Sequence, residues 1–381
     1  MQLSPDQDRA RLAILSALSA GQPVSVLVGP AGSGKTTLLR ALLTDITREV
    51  ALLCPTGKAA ARLSEVTGQR ASTIHRALYG RVTEVGTEKG RTRLVFDGKQ
   101  APCRPGGLVI CDEASMVGTR LHNDLLDHLP PGAQILYVGD REQLPPVEGV
   151  WGPDFTDPTA VLETIHRQAE QSPILSLATA IREGKRWDGW QDGVCERGAG
   201  DPVAWLCERI DLDATLITMT NQRRRGLNTA IREQRGFTGP MVAGERIVCL
   251  RNNVDVGLMN GEVRTVVSAA KAIGPSWLQR TELWEMVLED GKKVMVNIDL
   301  IGQPVSVYQA WKKKRKGAGM DRMIHVDYGY CLTVHKAQGS QWREVGFVSC
   351  PVFRRMRDRR RLAYTAVTRA SERLRIFLME R

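Results

Sequence analysis

The segment Gly29-Pro30-Ala31-Gly32-Ser33-Gly34-Lys35-Thr36 combines backbone freedom, one cation and one hydroxyl, the composition needed to wrap a chain of phosphates. Glycines let N–H groups turn inward, Lys35 places a point charge on the terminal phosphates, and Thr36 offers a hydroxyl to Mg²⁺. Val24-Ser25-Val26-Leu27-Val28 before it has strand character, and Thr37-Leu38-Leu39-Arg40-Ala41-Leu42-Leu43 after it is a strong helix former. Strand, glycine loop and helix, in that order, set an anion at a helix N-terminus. The expected ligands are a nucleoside triphosphate, ATP, and Mg²⁺.

Two further strands end in chemistry. Leu108-Val109-Ile110-Cys111 runs into Asp112-Glu113, and a strand end is where open α/β sheets place ligands. Asp112 is read as a Mg²⁺ ligand and Glu113 as the base that orients and deprotonates water, two tasks that need adjacent acids pointing differently. Ile135-Leu136-Tyr137-Val138 runs into Gly139-Asp140-Arg141-Glu142-Gln143-Leu144-Pro145-Pro146, where Gln143 is placed to sense the γ-phosphate.

The elements that must position these residues alternate. From about residue 4 to 150, short apolar strands (24–28, 50–54, 107–111, 135–138) and helical stretches predict an α/β fold, a parallel sheet with helices on both faces. Residues 81–105 interrupt the rhythm with two strand-like runs, Arg81–Val85 and Arg91–Phe96, around a Gly/Lys-rich turn, read as an inserted β-hairpin. Residues 151–235 are helical in pattern with one strand candidate, Thr215–Met219. Between about 237 and 327 the composition turns to β alternation, read as a small barrel inserted into a second α/β domain. The run Lys312-Lys313-Lys314-Arg315-Lys316 is an exposed basic loop, either solvated or in contact with nucleic acid.

The 381 residues carry a net charge of +11, which points to a polyanionic partner, nucleic acid first. The eight cysteines include no CxxC pair and no histidine at ligand spacing, which argues against a zinc site or a disulfide framework. The N-terminus lacks a signal-peptide layout and no apolar run reaches membrane-spanning length. A reduced, cytoplasmic protein with no membrane partner is expected.

Taken together, GDxxQLPP, the phosphate loop and the acidic pair resemble the superfamily 1 helicases. The resemblance extends through Gln7 in Leu3–Gln7, Pro55–Ala60, Thr73-Ile74-His75-Arg76, Ile165-His166-Arg167-Gln168, Thr220-Asn221, Thr333–Ser340 and Tyr364–Ala370, in the family's order along nearly the whole chain. The wording DEASM, TIHR and TVHKxQGS is closest to the RecD and Dda branch, which translocates 5′ to 3′ on single-stranded DNA. The chain starts almost at its adenine motif, so the free-standing phage Dda type is the better comparison.

What the resemblance implies is specific. Two RecA-like domains are expected, at 1–80 with 106–150 and at 151–236 with 328–381. The hairpin at 81–105 would be a strand-separating pin and 237–327 an SH3-like domain. Gln7 would read adenine, and Gly339 would join the phosphate loop in binding nucleotide. Arg167 and Arg369 would reach the γ-phosphate from the second domain as arginine fingers, a task suited to a planar, permanently charged group. Pro55, Thr56, Lys58, Thr73, His75, Asn221, Thr333 and His335 would contact DNA, although each polar one also suits capping a helix or a turn. Gln341 departs from the glutamate many relatives carry there, which puts tight nucleotide preference in doubt. The expected partners are single-stranded DNA and its junctions with duplex, together with a single-strand-binding or replication protein, with the chain acting as a monomer. An RNA helicase of the same superfamily and a non-enzymatic DNA-binding scaffold remain as alternatives.

Overall fold

The computed structural model describes residues 3–79, 82–86, 92–96, 100–146, 149–164, 172–239, 241–251, 253, 255–258, 260–272, 283–313, 320–349 and 356–378. Arg167, with the rest of its motif, lies outside them, as do Lys314–Lys316.

The first half builds on a parallel sheet. Its elements are α1 (Pro5–Ser19), β1 (Val24–Val28), α2 (Lys35–Asp45), β2 (Val50–Cys54), α3 (Gly57–Thr67), β3 (Ala71–Thr73), α4 (Ile74–Tyr79), β4 (Val82–Gly86), β5 (Thr92–Phe96), β6 (Leu108–Cys111), α5 (Thr119–Asp127), β7 (Gln134–Gly139) and β8 (Ala160–Val161). The strand order is β3-β2-β6-β7-β1-β8, with β4 and β5 paired antiparallel outside it. Side chains alternate across the sheet as a strand requires: Leu27 packs with Leu38, Leu39 and Leu63 on the α1–α3 face, and Val26 and Val28 with Ile74, Leu125 and Tyr137 on the other. Helix α1 starts where Ser4 and Gln7 form a reciprocal capping box, with Pro5 in the first turn.

The second half carries α6 (Pro173–Glu183), β9 (Cys195–Gly198), α7 (Pro202–Cys207), β10 (Ala214–Thr218), α8 (Asn221–Gln234), β11 (Arg246–Cys249), β12 (Val263–Ala272), β13 (Leu283–Leu288), β14 (Lys293–Asn297), α9 (Val305–Lys313), β15 (Val326–Tyr328), β16 (Cys331–Thr333), α10 (Val334–Ala337), β17 (Trp342–Ser349), α11 (Met356–Val367) and β18 (Ala370–Leu378). A second parallel sheet runs β16-β10-β17-β18-β9. Between its strands in sequence sits a five-stranded antiparallel sheet, β14-β13-β12-β11-β15, closed over its own core of Met241, Ile247, Met286, Val294 and Val326.

Two strands depart from the expected pattern. Residues 151–235 show one strand candidate in sequence, whereas the structure adds β8 and β9 there. Strand β8 extends the first sheet past residue 150 by pairing with Leu27 and Val28. Strand β9, Cys195-Glu196-Arg197-Gly198, has no apolar alternation and is ordered by its partner β18.

Candidate nucleotide and nucleic-acid site

The phosphate loop leaves β1 and enters α2 through Gly34, whose φ of +77° is a left-handed backbone that favours glycine. Lys35 folds back, its Nζ donating to the carbonyls of Gly29 at 2.7 Å and Pro30 at 2.9 Å. A cation held by loop carbonyls is positioned for phosphate oxygens to replace them. Gln7 is buried and donates from Nε2 to the Gly34 carbonyl at 3.2 Å, while its Oε1 accepts from the Ser4 N–H. The glutamine assigned to adenine is thus also part of the loop's support.

Asp112 and Glu113 sit at the end of β6 beside this loop. Burial, and then the neighbouring Glu113 charge, push the Asp112 carboxyl up to about 6, with Lys35 opposing. A half-buried carboxylate crowded by a second acid fits a divalent cation, and the Thr36 hydroxyl and Asp112 are the oxygen donors such an ion prefers. Glu113 adopts φ +53°, a strained conformation for a non-glycine residue, and its N–H donates to Asp112 Oδ1 at 2.9 Å. Gln143 is buried and its Oε1 has no hydrogen-bond partner among the described residues, an orphan acceptor in need of a polar ligand.

The second half meets this site through α11. The Leu144 N–H donates to Thr365 Oγ1 at 3.1 Å, and Gln338 Nε2 donates to the Leu144 carbonyl at 3.1 Å. Arg369, just beyond α11, is buried. Its Nε donates to the Thr365 carbonyl at 3.0 Å, Nη1 to the Ser340 carbonyl at 3.2 Å and Nη2 to Thr368 Oγ1 at 3.1 Å. Burial pulls its guanidinium below the usual range, with the Glu113 charge the largest opposing influence. The two residues assigned to opposite sides of the reaction therefore lie within electrostatic reach.

The residues assigned to DNA gather at strand ends. Cys54 and Thr73 are register partners at the C-terminal ends of β2 and β3, so Pro55, Thr56, Lys58, Thr73 and His75 share one edge of the first sheet. Thr218 and Thr333 pair likewise in the second sheet, bringing Asn221, Thr333 and His335 to one edge of it. Gly339, with φ +74°, links the two groups. A Cβ there would sit 3.0 Å from Thr56 Oγ1.

Several of these side chains hold local structure. Thr56 Oγ1 accepts from the Ala59 N–H and Thr73 Oγ1 from the Arg76 N–H. Asn221 Oδ1 accepts from Arg224, which pairs with Asp327. Burial lowers the pKa of both His75 and His335. Lys58 lies over the Trp342 ring, 5.1 Å from its centroid, and burial, then Arg264, bring its ammonium down to about 8. The Trp342 ring is itself buried, as is Tyr79 beside His75. No cluster of His, Cys, Asp or Glu suited to a metal ion occurs among the described residues, whose cysteines are free thiols.

Sequence reasoning missed Tyr364 and Asp140 as site residues. The Tyr364 hydroxyl donates to Asp140 Oδ2 at 2.5 Å and accepts from the Ala31 N–H at 2.8 Å. The available signal was the spacing Arg361, Tyr364, Thr365, Thr368, which is one helix face.

Known proteins agree with this geometry. The AAA domain family matches residues 2–192, half of the chain, and the UvrD-like helicase C-terminal domain matches residues 328–377. The ATP-dependent RecD2 DNA helicase of Deinococcus radiodurans is 31% identical over 93% of this chain and 47% of its own length, so the chain spans about half of that relative. The RecBCD subunit RecD of Mycolicibacterium smegmatis is 28% identical over 97% of this chain and 70% of its own. The ATP-dependent DNA helicase dda of phage T4 is 26% identical over 96% and 97%. In fold, the chain is similar to Bacteroides Pif1 bound to single-stranded DNA, with TM-score 0.58, 16% identity and coverage of 100% of this chain and 93% of that one. Pif1 from Candida albicans gives 0.55, 19%, 100% and 95%. With the phosphate loop, the acidic pair and the Gln143 turn facing α11 and Arg369, the chain belongs to the AAA-domain P-loop proteins and, among them, to the RecD/Dda branch of the superfamily 1 helicases.

Proposed function

We propose that the chain is an ATP-dependent DNA helicase that moves 5′ to 3′ on single-stranded DNA and unwinds duplex. The observation that carries this reading is the meeting of the phosphate loop and the Gln143 turn with α11, because a nucleotide between them can close or open the cleft with each turnover.

ATP with Mg²⁺ brings the cleavable phosphoanhydride and part of its charge neutralisation. Lys35 and the loop N–H groups of Gly29 to Thr37 hold phosphate oxygens, Pro30 contributing shape only. Thr36 and Asp112 are the metal donors. Glu113 takes the proton of the attacking water, Gln143 orients groups at the terminal phosphate, and Arg369 faces the developing charge. Arg167 is a second finger in this reading, and Gly339 and Gln7 complete the nucleotide set.

The edges carrying Thr56, Lys58, Thr73 and His75, and Asn221, Thr333 and His335, form the DNA track, one per RecA-like domain. Their domains are 1–80 with 106–162, β8 completing the first sheet, and the residues after it to 236 with 328–381. The paired β4 and β5 act as the separating pin of 81–105, and the antiparallel sheet within 237–327 is an SH3-like domain behind it. Monomeric action, a single-strand-binding or replication partner, and the cytoplasm complete the proposal. No helix among the described residues is long and apolar enough to cross a membrane.

The test is ATP hydrolysis by the purified chain with added single-stranded DNA or RNA of one sequence. Stronger stimulation by DNA supports the reading. Stronger stimulation by RNA assigns an RNA helicase, and DNA binding without hydrolysis assigns a scaffold.

A further inference from the structure

We infer that Tyr364 is a positioning residue for nucleotide hydrolysis, tying the phosphate loop and the Gln143 turn to the second sheet through one phenol. The inference rests on the chain being a nucleotide hydrolase, and it concerns how the catalytic groups are held.

Tyr364 lies on α11 and is 2% exposed. Its oxygen accepts from the Ala31 N–H in the phosphate loop, and its proton goes to Asp140 Oδ2. Asp140 is itself 2% exposed. Its Oδ1 accepts from the Glu142 N–H at 3.0 Å and its carbonyl from the Gln143 N–H at 3.2 Å. One carboxylate thus shapes the turn that presents Gln143, and one phenol fixes that carboxylate against the loop that grips phosphate. Burial, then the Asp140 charge, hold the phenol well above its ordinary pKa, so it stays a donor.

The surroundings make this a crossing between halves. The Ala31 side chain and Leu144 pack with Leu362, Ala366, Val334 and Ala337 of the second half. One turn before Tyr364, Arg361 donates to the Arg141 carbonyl at 3.2 Å, and one residue after it Thr365 accepts from Leu144. Residues three and four apart share a helix face, so this face of α11 grips the Gln143 turn at Asp140, Arg141 and Leu144. Tyr364 also reaches the phosphate loop, at Ala31. A hydrophobic contact would hold the halves together equally well. The buried phenol–carboxylate bond adds direction, setting the turn and the loop in one relative orientation.

The test compares wild type with Tyr364→Phe, which removes one oxygen and keeps the ring. Steady-state ATP hydrolysis with saturating single-stranded DNA gives kcat, a fluorescent ATP analogue gives nucleotide Kd, and thermal melting reports folding. We expect kcat to fall by about tenfold or more, the scale for misplaced catalytic groups, with Kd within about twofold of wild type. Asp140→Asn should give the same split, and serves alone should the phenylalanine variant fail to fold. The double variant should lose no more than the worse single variant, as two ends of one interaction do. Unchanged kcat, equal loss of kcat and Kd, or additive single losses would overturn the inference. Absence of hydrolysis in wild type would instead sink the functional reading itself.

Discussion

Arg369 donates from Nη1 to the Ser340 carbonyl at 3.2 Å, so the residue proposed to face the terminal phosphate is braced by the loop that carries Gly339 and leads into β17. Three of its N–H bonds are used inside the second half, and a guanidinium has five. Among the described residues no further hydrogen bond takes the remainder, so an anion can be met without dismantling the support.

Arg369→Ala should therefore retain nucleotide binding and lose on the order of 10³ in hydrolysis rate, the low end for arginine fingers. Single-turnover hydrolysis and equilibrium nucleotide binding, measured on the same preparation, separate the two. Parallel loss of affinity would assign the arginine to ground-state binding.

Lys35→Ala should abolish DNA-stimulated hydrolysis while leaving the fold intact. Among the described residues the Lys35 ammonium bonds only the Gly29 and Pro30 carbonyls of its own loop, so its loss removes phosphate charge and leaves the core of Leu27, Leu38 and Leu39 untouched. Circular dichroism and ATPase rates check the two halves of this statement. Near-normal turnover would remove the phosphate-loop assignment.

His325 gives a pH prediction. It stacks on Tyr308, with ring centroids 4.5 Å apart, and burial brings its imidazole down to about 4; Lys336 and Arg251 push the same way, Gln303 and Asp327 oppose. Between pH 6.5 and about 4 the unfolded chain binds a proton that the folded one refuses, so His325 makes stability fall as pH falls through that window. His325→Phe keeps a stacked ring without the titration. Its melting temperature should decline less steeply from pH 7 to pH 4.5 than that of wild type; identical slopes would show that the acid sensitivity lies elsewhere.

The β4–β5 pair predicts a separation of activities. Shortening Gly86–Gly90, whose tip lies outside the described residues beyond Gly86, should leave DNA-stimulated hydrolysis and single-strand translocation in place and abolish unwinding. Strand separation must overcome stacking of about 1.4 kcal/mol per step, which calls for an obstacle, whereas hydrolysis depends on the cleft. Streptavidin displacement and duplex unwinding on the same variant measure both. Unimpaired unwinding would make the hairpin a surface elaboration.

Much of this site was legible in the sequence because its signals are local. The phosphate loop needs glycines, a lysine and a threonine in fixed order, and β1, β2, β6 and β7 are predominantly apolar, as strands buried on both faces must be. The second sheet was harder. Strand β9 has one apolar residue in Cys195-Glu196-Arg197-Gly198 and exists through its pairing with β18. Tyr364 was hidden for another reason. Its partners lie at residues 31 and 140, and the helix-face spacing around Tyr364 does not say which distant residues that face meets. For the DNA set, a threonine that caps a helix and one that contacts phosphate look alike in sequence. The structure shows Thr56 and Thr73 making the capping bonds, with Thr73 itself buried.

The central claim is directional, DNA-dependent unwinding powered by the cleft between the two parallel sheets, and the most direct measurement is unwinding of matched partial duplexes bearing either a 5′ or a 3′ single-stranded tail, with ATP and Mg²⁺. Strand release from the 5′-tailed substrate alone, absent with Lys35→Ala, is the predicted result. Release from the 3′-tailed substrate alone, or from neither while ATP is hydrolysed, would contradict it.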